Sequence, residues 1–184
     1  MAFPLVALRR PHRPAPTRRP PLANANVLVV DRDAATGILL RDRLEQDYGA
    51  NVEVATHYDE ALDVLGNTAR PTTLVMLDPA LPSLDGDALM ALLRQHKARI
   101  HVTLHGHTPP ESLGFPENYV GVAAYTHLAT SAIACATAET VVAQGLTVRD
   151  IVDKRRVPAT LDWKSAVAIY TAEPGQPFPL TVRT

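Results

Sequence analysis

From Asn26 onward the chain alternates short apolar runs with stretches of helical period. Val27–Val30, Val52–Ala55, Leu74–Leu77, Ile100–Leu104 and Gly121–Tyr125 have the length and texture of strands buried on both faces. Between the first two, Ala34 to Tyr48 reads as a helix that turns Ile38, Leu39, Leu40 and Leu44 to the sheet, with Gly49 as its stop. Thr56 with Asp59 offers an N-cap for a helix carrying Ala61, Leu62 and Leu65. A third helix follows Gly86 and carries Leu89, Leu92 and Leu93. Thr108 to Asn118 holds Pro109, Pro110, Gly114 and Pro116, which shorten any helix there or replace it by a loop. Thr130 to Ala143 closes the series as a helix. Five strands alternating with helices predict an α/β fold, a doubly wound parallel sheet.

The pattern divides the 184 residues into three parts. Residues 1–25 have no acidic residue, five arginines and six prolines, and predict a flexible basic tail, because so little apolar surface cannot offset the entropy of ordering it. Residues 26–143 form the sheet domain, and 144–184 a C-terminal extension. Its segments Val148–Arg155 and Trp163–Tyr170 read as helices that pack on the domain or on a second copy, with Trp163 and Tyr170 as aromatic anchors.

Composition narrows the setting. A net charge of −1 gives no whole-molecule field for gripping nucleic acid. The single Cys135 cannot close an internal disulfide and falls in an alanine-rich helix, which fits a buried thiol in a reducing cytoplasm. No apolar stretch approaches the roughly 20 residues that span a bilayer, and Phe3–Leu8 is too short for a secretory signal, so no membrane association is expected.

The chemistry gathers in Thr73–Gly86, TLVMLDPALPSLDG. A buried strand that halts at Asp78 sets this carboxylate at the carboxyl edge of the sheet, where open α/β folds bind ligands. Asp78, Leu81, Pro82, Asp85 and Gly86 make the segment resemble the phosphoacceptor stretch of response-regulator receiver domains. That resemblance implies a flavodoxin-like architecture with strand order 2-1-3-4-5, Asp78 as phosphoacceptor, and a non-enzymatic signalling role. It also implies Mg2+ held by two acids after the first strand, by Asp78 and by the carbonyl of Ala80. Asp31 matches the first acid, Arg32 replaces the second, and Asp33 is the substitute nearby. Arg32 could alternatively neutralise the carboxylates as a fixed cation in the metal's place, bonding Asp78.

Two more positions depart from the receiver pattern. His105 stands where a serine or threonine would hold the phosphoryl group, and Leu128 where a lysine would pair with it, although Tyr125 keeps the preceding aromatic. His127 is one residue early. Phosphoryl transfer depends on positioning and charge stabilisation, so these losses predict an atypical receiver with phosphorylation weak or lost. Histidines 101, 105, 107 and 127 lack the partners of a zinc site and read as hydrogen-bonding or surface groups.

The expected function is therefore signal transduction or transcriptional regulation through protein–protein contacts. The resemblance implies a sensor kinase or regulatory target as partner, and a homodimer through the face of the unit's fourth helix, fifth strand and fifth helix. Gln144–Val152 also resembles the opening of a LuxR-type helix-turn-helix, with Val157–Leu161 near its turn and Lys154, Arg155 and Arg156 able to touch phosphates; this makes a truncated DNA-binding module the alternative. A magnesium-dependent phosphatase of haloacid-dehalogenase type would use Asp31-Arg32-Asp33 as Asp-x-Asp, but Ala35 stands where Thr or Val belongs.

Overall fold

In the computed structural model, the structure describes residues 20–81, 85–96, 98–108, 121–153 and 167–168. Five parallel strands, β1 (Asn26–Val30), β2 (Asn51–Ala55), β3 (Leu74–Leu77), β4 (His101–Gly106) and β5 (Ala124–His127), lie in the order β2-β1-β3-β4-β5. The connecting helices are α1 (Ala34–Tyr48), α2 (Tyr58–Leu65) and α3 (Asp85–Gln95); α4 (Ser131–Gln144) and α5 (Val148–Val152) follow β5. This is the doubly wound sheet expected from the alternation, in the flavodoxin-like strand order that the resemblance implies.

The all-apolar strands follow from helices on both faces. Leu28, Val30, Val75, Leu77 and Leu104 pack against Ala61, Leu89, Met90 and Leu93 on one side. On the other, Val27, Val29, Leu74 and Met76 meet Leu40 and Leu44 of α1 and Ala134, Cys135 and Ala138 of α4. Each face excludes water from a strand that can spare no polar position.

Several elements differ from the sequence expectation. On α1 only Leu40 and Leu44 of the four apolar residues are buried; Ile38 is 44% and Leu39 57% exposed. Three successive residues are spread over about 200° of a helix and cannot share one face. Helix α2 has His57 at its N-cap without a side-chain bond. Glu60 Oε2 instead reaches back to accept from the Thr56 N–H at 2.7 Å and the Thr56 hydroxyl at 3.1 Å. Strand β5 begins at Ala124 and runs to His127, because its register against β4 starts at Thr103↔Ala124 and ends at Gly106↔His127; Val122 and Ala123 are buried ahead of it. Order begins before residue 26: Leu22 is buried in the α1/α4 core and Asn24 N–H donates to Gly49 O at 2.8 Å.

Beyond α4, helix α5 is capped by Thr147, whose Oγ1 accepts from Asp150 N–H at 3.1 Å, and buries Val148 and Ile151 against the domain. Of the expected helix over Trp163–Tyr170 only residues 167–168 are described, and they are not helical. Val167–Ala168 is a short strand, β6, paired antiparallel to β5 through Tyr125↔Ala168 and Thr126↔Val167. An open β5 would expose a row of unpaired backbone groups, and β6 satisfies part of it. The expected tail over residues 1–19, Pro82, the 109–118 segment, Lys154–Arg156, Val157–Leu161, Trp163, Tyr170 and residues 173–184 lie outside the described residues. Among the described residues no helix is long and apolar enough to cross a membrane.

Candidate phosphoacceptor site

Strands β1 and β3 are neighbours, so their carboxyl ends bring Asp31 and Asp78 together. Backbone bonds extend the ladder to both acids: Asp31 N–H donates to Ala55 O at 3.0 Å, and Asp78 N–H to Val30 O at 2.8 Å. Both side chains are buried, as is His105 at the end of β4. Asp31 Oδ1 accepts from Asp33 N–H at 2.8 Å, and its Oδ2 lies 2.9 Å from His105 Nε2. That contact assigns the ring proton to Nε2, and among the described residues His105 Nδ1 has no hydrogen-bond partner.

Asp78 Oδ1 accepts from Ala80 N–H at 2.9 Å, while Oδ2 faces Arg32 Nε at 3.8 Å. The Arg32 side chain is 60% exposed. Burial, and after it the Asp31 charge, raise the Asp78 carboxyl above its ordinary range, against the Ala80 N–H, His105 and Arg32, which act the other way. Asp33 serves another purpose: it is the N-cap of α1, accepting from Ala35 N–H at 3.1 Å and the Thr36 hydroxyl at 2.8 Å. Those bonds, led by Thr36, hold it below the usual carboxylate range. The same capping engages the second acid of the Asp-x-Asp reading.

Gly106 closes β4 with φ 146°, and a Cβ there would stand 2.9 Å from Asp78 Oδ1; the carboxylate fits because the residue has no side chain. Past the end of β5, Leu128 adopts φ 51°, unusual for a leucine, donates its N–H to Gly106 O at 2.9 Å and is 63% exposed. His127 Nε2 lies 3.2 Å from His107 O, and the Tyr125 hydroxyl donates to Thr108 O. His101, at the far end of β4, contacts Leu146 O through Nδ1 at 3.0 Å. Among the described residues no three His, Cys, Asp or Glu side chains converge as a metal cluster.

A cleft of about 800 Å3 opens above these groups, walled by Leu39 and Leu40 of α1 and by Thr130, Ser131 and Ala134 at the start of α4. Ala80, the expected carbonyl ligand, lies on its lining. Nothing in the sequence marks these wall residues as part of the site, and Leu39 reads there as sheet-facing.

The donor set leaves few unengaged oxygens for a hard divalent ion. Mg2+ requires near-octahedral oxygens, yet both oxygens of Asp31 and of Asp33 accept bonds from the protein, and the open one of Asp78 faces a guanidinium.

The comparisons with known proteins agree with this architecture. The family model "Response regulator receiver domain" matches residues 27–111. Solved structures share the fold: the receiver domain of the Francisella response regulator 1452 (20% identity, TM-score 0.57, 66% of this chain and 98% of that one) and the signal receiver domain of a Luxo repressor protein from Vibrio parahaemolyticus (13%, 0.58, 66% and 92%). NtrX from Brucella abortus aligns at 22% identity and TM-score 0.58, over 75% of this chain and 32% of its own. Curated protein sequences yield no match. Residues 27–111 of the doubly wound unit thus match the response-regulator receiver family, and the unit has the fold of receiver domains. Receiver domains are generally signalling modules rather than enzymes.

Proposed function

We propose that this chain is an atypical receiver, acting in the cytoplasm in signal transduction or transcriptional regulation through protein–protein contacts, with phosphorylation at Asp78 weak or lost. One observation carries the reading: the two groups that would hold a phosphoryl oxygen are replaced. At the end of β4 the position carries His105, its Nε2 engaged with Asp31. At the end of β5 it carries Leu128, an apolar and largely exposed side chain. Charge stabilisation supplies most of the rate of phosphoryl transfer, so an intact nucleophile without these groups is a slow one.

The partner is a sensor kinase or a regulatory target, and the chain forms a homodimer through the face of the unit's expected fourth helix, its fifth strand, β5, and its fifth helix, α4. Intact-protein mass after incubation with Mg2+ and acetyl phosphate, beside Asp78→Asn, tests the proposal. The expected result is no phosphate-sized gain in either protein. A gain in the wild type that is absent from the variant would overturn it.

A further inference from the structure

We propose that the Arg32 guanidinium and the His105 N–H donor together take the place of a divalent cation, so that the chain itself compensates the carboxylate pocket and holds it in one state without metal or phosphate. This deepens the reading above by naming how that site is controlled. Two carboxylates, Asp31 and Asp78, lie buried at the ends of β1 and β3, and a third, Asp33, caps α1 beside them. Such a cluster needs positive charge or hydrogen-bond donors to exist. Every one of its six oxygens meets one in the protein: backbone N–H groups of Asp33, Ala35 and Ala80, the Thr36 hydroxyl, the His105 ring and the Arg32 guanidinium.

The substitution is steric as well as electrical. Arg32 follows Asp31 directly, and its Nε approaches the one Asp78 oxygen that accepts no hydrogen bond from the described residues. An incoming ion would have to displace that charge and also break the Asp31–His105 contact. The latter spans β1 and β4 across the intervening β3, so it fixes the end of β4 relative to β1 whatever the solution contains. The predicted behaviour is a constitutive surface rather than a metal-primed switch.

Mn2+ is the probe, because its electron paramagnetic resonance signal reports free ion directly. The wild-type full chain is expected to show no saturable binding up to millimolar Mn2+, whereas the double variant R32D/H105T, which restores an acid and frees Asp31 Oδ2, should bind one ion at least tenfold more tightly. Should the buried substitution unfold the protein, R32D alone alters an exposed side chain and should show a smaller gain in the same direction. One-to-one binding by the wild type that Asp78→Asn abolishes would overturn the proposal, as would failure of the folded variants to gain any binding. A phosphate-sized mass gain in the wild type that persists in excess chelator would overturn the functional reading alone; Mn2+ binding without such a gain would overturn this one alone.

Discussion

His105 on β4 and Asp31 after β1 are 74 residues apart in sequence, and their side chains meet at 2.9 Å with both buried. Removing the ring would leave a buried carboxylate short of a donor, at a cost of about 2 kcal/mol for a hydrogen bond to a charged group. His105→Ala should lower unfolding free energy by roughly that amount. Urea denaturation at neutral pH measures it, and an unchanged midpoint would mean the contact contributes nothing.

Asp78→Asn is expected to act in the opposite direction. Asparagine keeps an oxygen for the Ala80 N–H but carries no charge to bury. Because burial raises the folded carboxyl above its unfolded value, the folded chain binds its proton more tightly. That advantage is complete below the unfolded value and is lost as pH rises through the folded one, so at neutral pH the charged form is a liability. The variant should gain on the order of 1 kcal/mol at pH 7, the usual scale of a single substitution. The gain should shrink as acid protonates the wild-type group, as thermal melts across a pH series would show.

Backbone strain makes a separate prediction. Leu128 sits at φ 51°, where a leucine costs roughly 1–2 kcal/mol. Leu128→Gly should leave stability unchanged or raise it by up to about 1 kcal/mol. At Gly106 the opposite substitution, Gly106→Ala, would drive a methyl to 2.9 Å from Asp78 Oδ1 and should cost about 2 kcal/mol. Denaturant melts of the two variants should therefore move in opposite directions.

His101 adds a pH dependence away from the pocket. Burial, only partly offset by Leu146 O and Asp150, lowers its ring below the usual value. The unfolded chain therefore takes up this proton first, and stability falls as pH drops below about 6.5 towards the folded value. His101→Gln should flatten the melting temperature between about pH 7.5 and 5.5, a range above carboxylate titration.

Cys135 should be inert while the protein is folded. Burial pushes its thiol up to about 12, leaving almost no thiolate at neutral pH. A thiol reagent should label it only on unfolding; rapid labelling of native protein would contradict the packing against α1.

The sheet was legible because a strand covered on both faces is written almost wholly in apolar residues, as Leu74–Leu77 is. Where burial continues past hydrogen bonding, the pattern misleads: Val122 and Ala123 are buried like strand residues, yet the β5 ladder starts at Ala124. The positions of Asp31, Asp78 and His105 followed from strand ends. The bond between Asp31 and His105 did not, since a contact across β3 depends on rotamers that no local periodicity encodes. Asp33 shows a related limit: an aspartate before an apolar helix is equally a metal ligand and an N-cap, and the bonds to Ala35 and Thr36 become visible only in three dimensions. At Val167–Ala168 a helical pattern yields to the demand of a neighbouring strand edge.

That edge pairing leaves the two margins of the sheet unlike. With β6 beside β5, β2 is the outer strand at the other margin, and Glu53 stands exposed at its middle. Two copies meeting there in antiparallel register about Glu53 would press carboxylate on carboxylate. The sheet thus meets a neighbouring edge with two residues of its own chain at one margin and with a negative charge at the other.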